Sequence, residues 1–170
     1  LRQTAEDLLF NKSLPLNAYR TSSFSLDKKS VTPLIMQTAI GQGNTLVSPM
    51  HMALITCAIA NDGVLMKPYL IDEVVNDSND TVKKTEPVPY KRLMSSNEAN
   101  LLGKLMKQVV DSGTASSLSG RSYTVAGKTG SAEFDEEGHS HSWFIGYSNV
   151  DDPDLVVAVI VENGGSGSEA

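Results

Sequence analysis

Two rhythms of hydrophobic and polar positions divide the chain. The first two thirds carry apolar residues at helical intervals. Leu1, Ala5, Leu8 and Leu9 fall on one face of a predicted amphipathic helix over Leu1 to Phe10. Asn11 to Ser30 is polar and serine-rich with Pro15 in its midst, which reads as a loop. Thr32-Pro33 is a cap followed by proline, predicting a short helix that Gly41 stops. Ser48-Pro49 opens a second helix by the same logic. Met50, Met52, Ala53, Leu54, Ile55, Cys57, Ala58 and Ile59 make that helix apolar nearly all round, so it is expected to be buried, and Gly63 ends it. Tyr69 to Val75 and Thr81 to Lys84 flank the turn cluster Asn76-Asp-Ser-Asn-Asp80 and predict a hairpin. Pro87 and Pro89 are expected to break structure after it. Ser95-Ser-Asn-Glu98 is a capping box opening a helix with Leu101, Leu102, Leu105, Met106, Val109 and Val110 along one side, stopped by Gly113. Ser116 to Gly120 is a loop.

The last third changes to strand patterning. Tyr123 to Glu133 alternates β-branched and small residues. The acidic turn Phe134-Asp-Glu-Glu-Gly-His139 leads to a strand around Trp143 to Tyr147, and Asp151-Asp-Pro-Asp154 turns into the apolar run Leu155 to Glu162. Three successive strands joined by short turns predict an antiparallel meander. With the helices placed before it, the fold class is α/β in the α+β sense: helices packed on a mostly antiparallel sheet. The stretch 164–170, which begins Gly164-Gly-Ser-Gly-Ser168, reads as a flexible tail.

Composition narrows the function. At 170 residues, 40% of them hydrophobic, the chain suffices for one domain or a large piece of one. A net charge of −6 argues against nucleic acid as a partner. No apolar run approaches transmembrane length. Leu1-Arg-Gln-Thr4 lacks the charged start of a signal peptide, and the missing initiator Met fits a piece of something longer. The single cysteine, Cys57, allows no internal disulfide and is expected to be an inert core thiol.

Several motifs invite chemistry. Gly41-Gln-Gly-Asn44 follows a helix and does not open one, so it is a turn and not a nucleotide loop. Asp135, Glu136 and Glu137 match no cation-binding loop, and His139 with His141 lacks a third ligand, so neither a metal nor a cofactor is expected. The informative stretch is Val125-Ala-Gly-Lys-Thr-Gly-Ser-Ala-Glu133. Gly127 and Gly130 clear side chains from the strand on both sides of Lys128-Thr129. An ammonium, hydroxyls and backbone N–H groups on one strand edge suit an acyl group that ends in a carboxylate.

Lys128-Thr-Gly130 is a signature of serine β-lactamases and penicillin-binding proteins. Here it is accompanied by Ser142-Trp-Phe-Ile-Gly-Tyr147, by the run Leu155 to Glu162, and upstream by Ala39-Ile-Gly-Gln-Gly-Asn-Thr-Leu-Val-Ser-Pro49 and Ile59-Ala-Asn-Asp-Gly63. From about Thr32 to Glu162 the sequence resembles the C-terminal half of a penicillin-binding protein transpeptidase domain. That resemblance makes residues 1–170 the C-terminal part of a single transpeptidase domain. Two sheet strands and the helix bearing the nucleophile then come from sequence before it, and a final helix covers the sheet after it. The implied function is a peptidoglycan D,D-transpeptidase segment that binds penicillin and the D-Ala-D-Ala stem peptide. The implied place is the extracytoplasmic face of a bacterial cell membrane, with the anchor outside this chain.

The family acts through a serine in Ser-x-x-Lys, a second motif Ser-x-Asn, and Lys-Thr-Gly. Ser25-Leu-Asp-Lys28 and Ser95-Ser-Asn97 match the first two by letter but are rejected. Ser25 has Ser30 and Pro33 close behind it, leaving no room for a long helix. Ser95 is better used as a cap, and it lies after Gly43, whereas in the family Ser-x-Asn precedes the Gly-Gln-Gly block. The resemblance therefore assigns roles to Lys128, Thr129, Gly130 and Ser131 alone. Lys128 supplies charge and helps proton transfer. Thr129 and Ser131 hold the carboxylate, and the Ser131 N–H is one oxyanion-hole donor. The expected partners are the stem peptide, β-lactams and the upstream part of the same protein. A β-lactamase or β-lactam sensor of the same fold, or a non-catalytic fragment, is the alternative. A fragment would expose apolar surface where the missing helix belongs and could pair with a second copy there.

Overall fold

The computed structural model describes residues 1–16, 22–135 and 137–169. Part of the predicted loop over 11–30, Glu136 in the acidic turn, and Ala170 lie outside the described residues. Four helices and seven strands are present among them: α1 Arg2–Asp7, α2 Thr32–Ala39, α3 Pro49–Ala60, β1 Val64–Met66, β2 Glu73–Val75, β3 Thr81–Lys84, β4 Pro89–Arg92, α4 Ser96–Ser112, β5 Val125–Glu133, β6 Ser140–Ser148 and β7 Val156–Val161.

The helix starts show how local chemistry fixes the frame. The Ser48 hydroxyl accepts the His51 N–H and starts α3. At α4 the capping box is complete: Ser95 Oγ accepts the Glu98 N–H at 3.2 Å, and Glu98 accepts the Ser95 N–H at 2.8 Å. The Ser95 hydroxyl, which also donates to the Glu98 carboxylate at 2.7 Å, and then the Ser95 N–H hold that carboxyl below its ordinary range. At α2 the cap position is Val31, one residue earlier than the sequence suggested, and Thr32 is already helical. Gly41 and Gly43 then take positive φ in the turn to α3.

The main sheet is the antiparallel meander β5-β6-β7. Its register pairs Lys128 with Ile145, Thr129 with Phe144, Gly130 with Trp143 and Ser131 with Ser142. Because strand side chains alternate between faces, Ala126, Lys128, Ile145, Tyr147 and Val156 share the inner face. Ala126, Tyr147, Ile145 and Val156 close over Leu54, Ile55, Ala58 and Ile59 of α3 and over Leu65 of β1. Phe144 and Val125 share the outer face, where they pack with Val109, Val110, Ala115 and Leu118. α4 runs beside β5, giving Met106 to the inner cluster and Val110 to the outer one. Gly103 lets it approach, since a Cβ there would stand 2.6 Å from the Tyr147 hydroxyl.

Sequence expectations needed correction at Pro89 and in the hairpin. Pro89 opens a strand instead of breaking one: β4 pairs with β1 across an irregularity at Leu65/Met66, and a proline is tolerated where a short strand begins. The predicted hairpin forms, but only Glu73–Val75 of its first arm is strand. On α4 the buried residues are Ala99, Gly103, Met106 and Val110, while Leu101, Leu102 and Leu105 are exposed.

Behind this frame α1 is tied to α3. His51 is fully buried against the Phe10 ring, with centroids 4.9 Å apart, and its Nε2 is 2.7 Å from the Leu8 carbonyl oxygen. Burial pushes the imidazole pKa down and keeps the ring neutral. Cys57 is half-buried, and burial pushes its thiol pKa up.

Candidate functional site

The Lys128-Thr-Gly stretch lies on the edge of the sheet away from β6. Lys128 Nζ donates to the Thr129 carbonyl at 2.7 Å, and Gln42 Nε2 donates to the Ser131 carbonyl at 3.3 Å. In an antiparallel strand the N–H and C=O of one residue point to the same side. Residues 129 and 131 thus turn both backbone groups, including the Ser131 N–H, to the edge that no described strand pairs with. Gly130 between them is exposed, and a Cβ there would meet nothing nearer than Trp143 Cβ at 3.5 Å.

Two cavities meet at this edge. One, of about 340 Å³, is lined by Lys128 to Ala132 and Trp143 on the sheet side, and by Ile40, Gly41 and Thr45 of the α2–α3 turn opposite. The turn that resembled a nucleotide loop is therefore the opposite wall of the cleft. The second, of about 650 Å³, is almost wholly apolar, lined by Ile59, Leu102, Leu105, Met106 and Val109 with Lys128 and Ile145. Two of the leucines that α4 leaves exposed, Leu102 and Leu105, are among its walls. Lys128 sits where the two join.

The four residues singled out in the sequence are thus together. Lys128 faces the inner side, and the half-buried Thr129 and exposed Ser131 face the outer side. Sequence reasoning missed three contributors. Thr114 Oγ1 lies 2.6 Å from Thr129 Oγ1; the only local signal was a hydroxyl following the helix-stopping Gly113. Gln42 reaches Ser131 from 89 residues away, which no local pattern announces. The third is Gly167, whose N–H donates to Ser131 Oγ at 2.9 Å.

The other candidates lie elsewhere. Ser25 is exposed in a stretch without helix, and Asp27 to Ser30 beyond it form a turn held by the Asp27 carboxylate. The Ser95 hydroxyl bonds Glu98 at the cap. His139 Nδ1 is 2.6 Å from Asp135, while His141 Nδ1 accepts the Asn163 N–H and its ring stacks on Phe134 at 4.3 Å.

An antiparallel sheet backed by helices, with a Lys-Thr-Gly edge opening on a cleft, defines the β-lactamase and transpeptidase class of acyl-binding folds. The penicillin binding protein transpeptidase domain model matches residues 1–170, and the chain belongs to that family. It is 34% identical over 134 residues to the peptidoglycan D,D-transpeptidase PbpA of Mycolicibacterium smegmatis, covering 75% of this chain and 26% of that protein. It is 33% identical over 162 residues to penicillin-binding protein 3 of Bacillus subtilis, covering 91% and 23%. Among solved structures, the ceftriaxone acyl-enzyme complex of penicillin-binding protein A from M. tuberculosis superposes with a TM-score of 0.81 at 25% identity, covering 99% of this chain and 39% of that one. The chain thus spans about a quarter of the length of the curated relatives it matches.

Proposed function

We propose that this chain is the carboxylate- and acyl-binding half of a bacterial D,D-transpeptidase, whose serine nucleophile comes from sequence upstream of Leu1. The observation that carries the reading is the β5 edge that no described strand pairs with, bearing Lys128, Thr129 and Ser131 on a cleft that adjoins an apolar groove. A stem peptide ending in D-Ala-D-Ala, or a penicillin that mimics it, lies along this edge as an added strand. Its carboxylate takes the hydroxyls of Thr129 and Ser131. Its reacting carbonyl points at the Ser131 N–H, which stabilises the oxyanion. Lys128, at the mouth of the apolar groove, places a cation beside the nucleophile and eases its loss of a proton. The serine oxygen bonds to the carbonyl carbon, the amide breaks, and D-alanine leaves with that proton. An amine of a neighbouring stem then displaces the serine.

The apolar groove is the seat for the upstream part of the same domain. Leu102 and Leu105 of α4 are exposed along that groove, which is where an added apolar element would cover them. The names of the relatives support a place in the cell envelope. No described helix is long and apolar enough to cross a membrane, so this chain's described residues supply no anchor of that kind.

The test is an exchange assay on the intact protein, with a D-Ala-D-Ala stem peptide and a free D-amino acid acceptor. The expected result is D-alanine release with the acceptor incorporated, stopped by penicillin. Rapid penicillin hydrolysis without exchange would favour a β-lactamase.

A further inference from the structure

Ser131 and Ser142 are cross-strand partners on the outer face of β5 and β6, so their Cβ atoms are about 5 Å apart. One peptide unit bridges them. Ser142 Oγ, on a fully buried residue, donates to the Ser166 carbonyl at 2.7 Å. The next N–H, that of Gly167, donates to Ser131 Oγ at 2.9 Å. This carbonyl and this N–H belong to the same amide, and in a trans peptide they point in opposite directions. The preceding amide is held as well, because Ser140 Oγ donates to the Gly165 carbonyl at 2.6 Å. Residues 165–167, within the stretch that composition reads as a tail, bond to the sheet.

We infer that the Ser166–Gly167 amide is a positioning clamp for carboxylate binding by Ser131. A hydroxyl has one proton to donate and lone pairs to accept with. With the Gly167 N–H already donating to its oxygen, Ser131 turns its own proton away from the strap, to the open edge of β5. The buried Ser142 hydroxyl sets the direction of the chain, and donors in series polarise one another. The result is a hydroxyl preset as a donor to an anion. Glycine is required at 167 for a separate reason. A Cβ there would stand 2.2 Å from the Gly130 carbonyl oxygen and 2.7 Å from its nitrogen, so a larger residue lifts the amide off Ser131.

This inference rests on the proposed role of Ser131, and the experiment separates the two. Acylation rates of the intact protein are compared for penicillin G and its methyl ester, in the Ser131→Ala, Gly167→Ala and Ser142→Ala variants and in Ser131→Ala combined with Gly167→Ala. A hydrogen bond to a charged group is worth about tenfold or more. Gly167→Ala should slow the acid about tenfold and leave the ester within about twofold. The double variant should be no slower than Ser131→Ala alone. If Gly167→Ala does not fold, Ser142→Ala decides, with the same loss of preference for the acid. If Ser131→Ala loses that preference while the strap variants keep it, the clamp is wrong and the role of Ser131 stands. Equal slowing of acid and ester by Gly167→Ala also overturns the clamp, because a structural fault does not distinguish them. If Ser131→Ala keeps the preference, the role of Ser131 falls and the clamp falls with it.

Discussion

Replacing Lys128 by alanine in the intact protein is expected to slow penicillin acylation by about 100-fold or more, the scale of losing one charged or oxyanion-stabilising group. Lys128 is the charged residue that lines both the cleft and the apolar groove, where the proposed nucleophile would enter. It is exposed, and its bond is to the Thr129 carbonyl, a surface contact. Removing it should therefore change folding stability by no more than about 0.5 kcal/mol. Stopped-flow acylation with a fluorescent penicillin gives the rate, and thermal unfolding gives the stability. A slow, fully folded variant is the expected pair of results. Acylation within about threefold of normal would remove Lys128 from the site.

The second large effect is on the frame. Leu65 is 1% exposed and fills the space where β1, α3 and the inner sheet face meet. Leu65→Ala leaves a cavity there and is expected to cost about 2–5 kcal/mol, a large part of the 5–15 kcal/mol typical of a domain. Leu65→Met, which conserves volume, should cost less than about 1.5 kcal/mol. Urea unfolding should show the midpoint fall with an unchanged slope. Leu65 lines neither cavity at the site, so the folded fraction of the alanine variant should acylate at the normal rate. An unchanged midpoint would contradict the packing described.

The contrast between these two residues shows what was legible in the sequence. Lys128 was singled out because its chemistry is local: three letters on a strand, with matching blocks before and after. Helix starts were legible for the same reason, since Ser48-Pro49 and Ser95 to Glu98 satisfy backbone donors within one turn. The β5-β6-β7 meander followed from short turns between apolar runs. What failed was non-local. The three residues of β1 pair with β4 across the hairpin, and no pattern in Pro89 to Arg92 names that partner. The face of α4 was correctly read as apolar, but periodicity does not say what covers it. Small Ala99 and Gly103 pack inward beside Met106, while Leu102 and Leu105 line a groove. Gln42, Thr114 and Gly167 join the site from three separate loops, each by a single hydrogen bond that composition cannot announce.

The central claim, that this chain binds the acyl group while another part of the domain supplies the nucleophile, is tested most directly by locating the adduct. The intact protein is labelled with a fluorescent penicillin, digested, and the modified peptide sequenced by mass spectrometry. The account predicts a single modified serine N-terminal to Leu1, with every serine of this chain unmodified. An adduct on Ser25, or on any other serine of this chain, would contradict it.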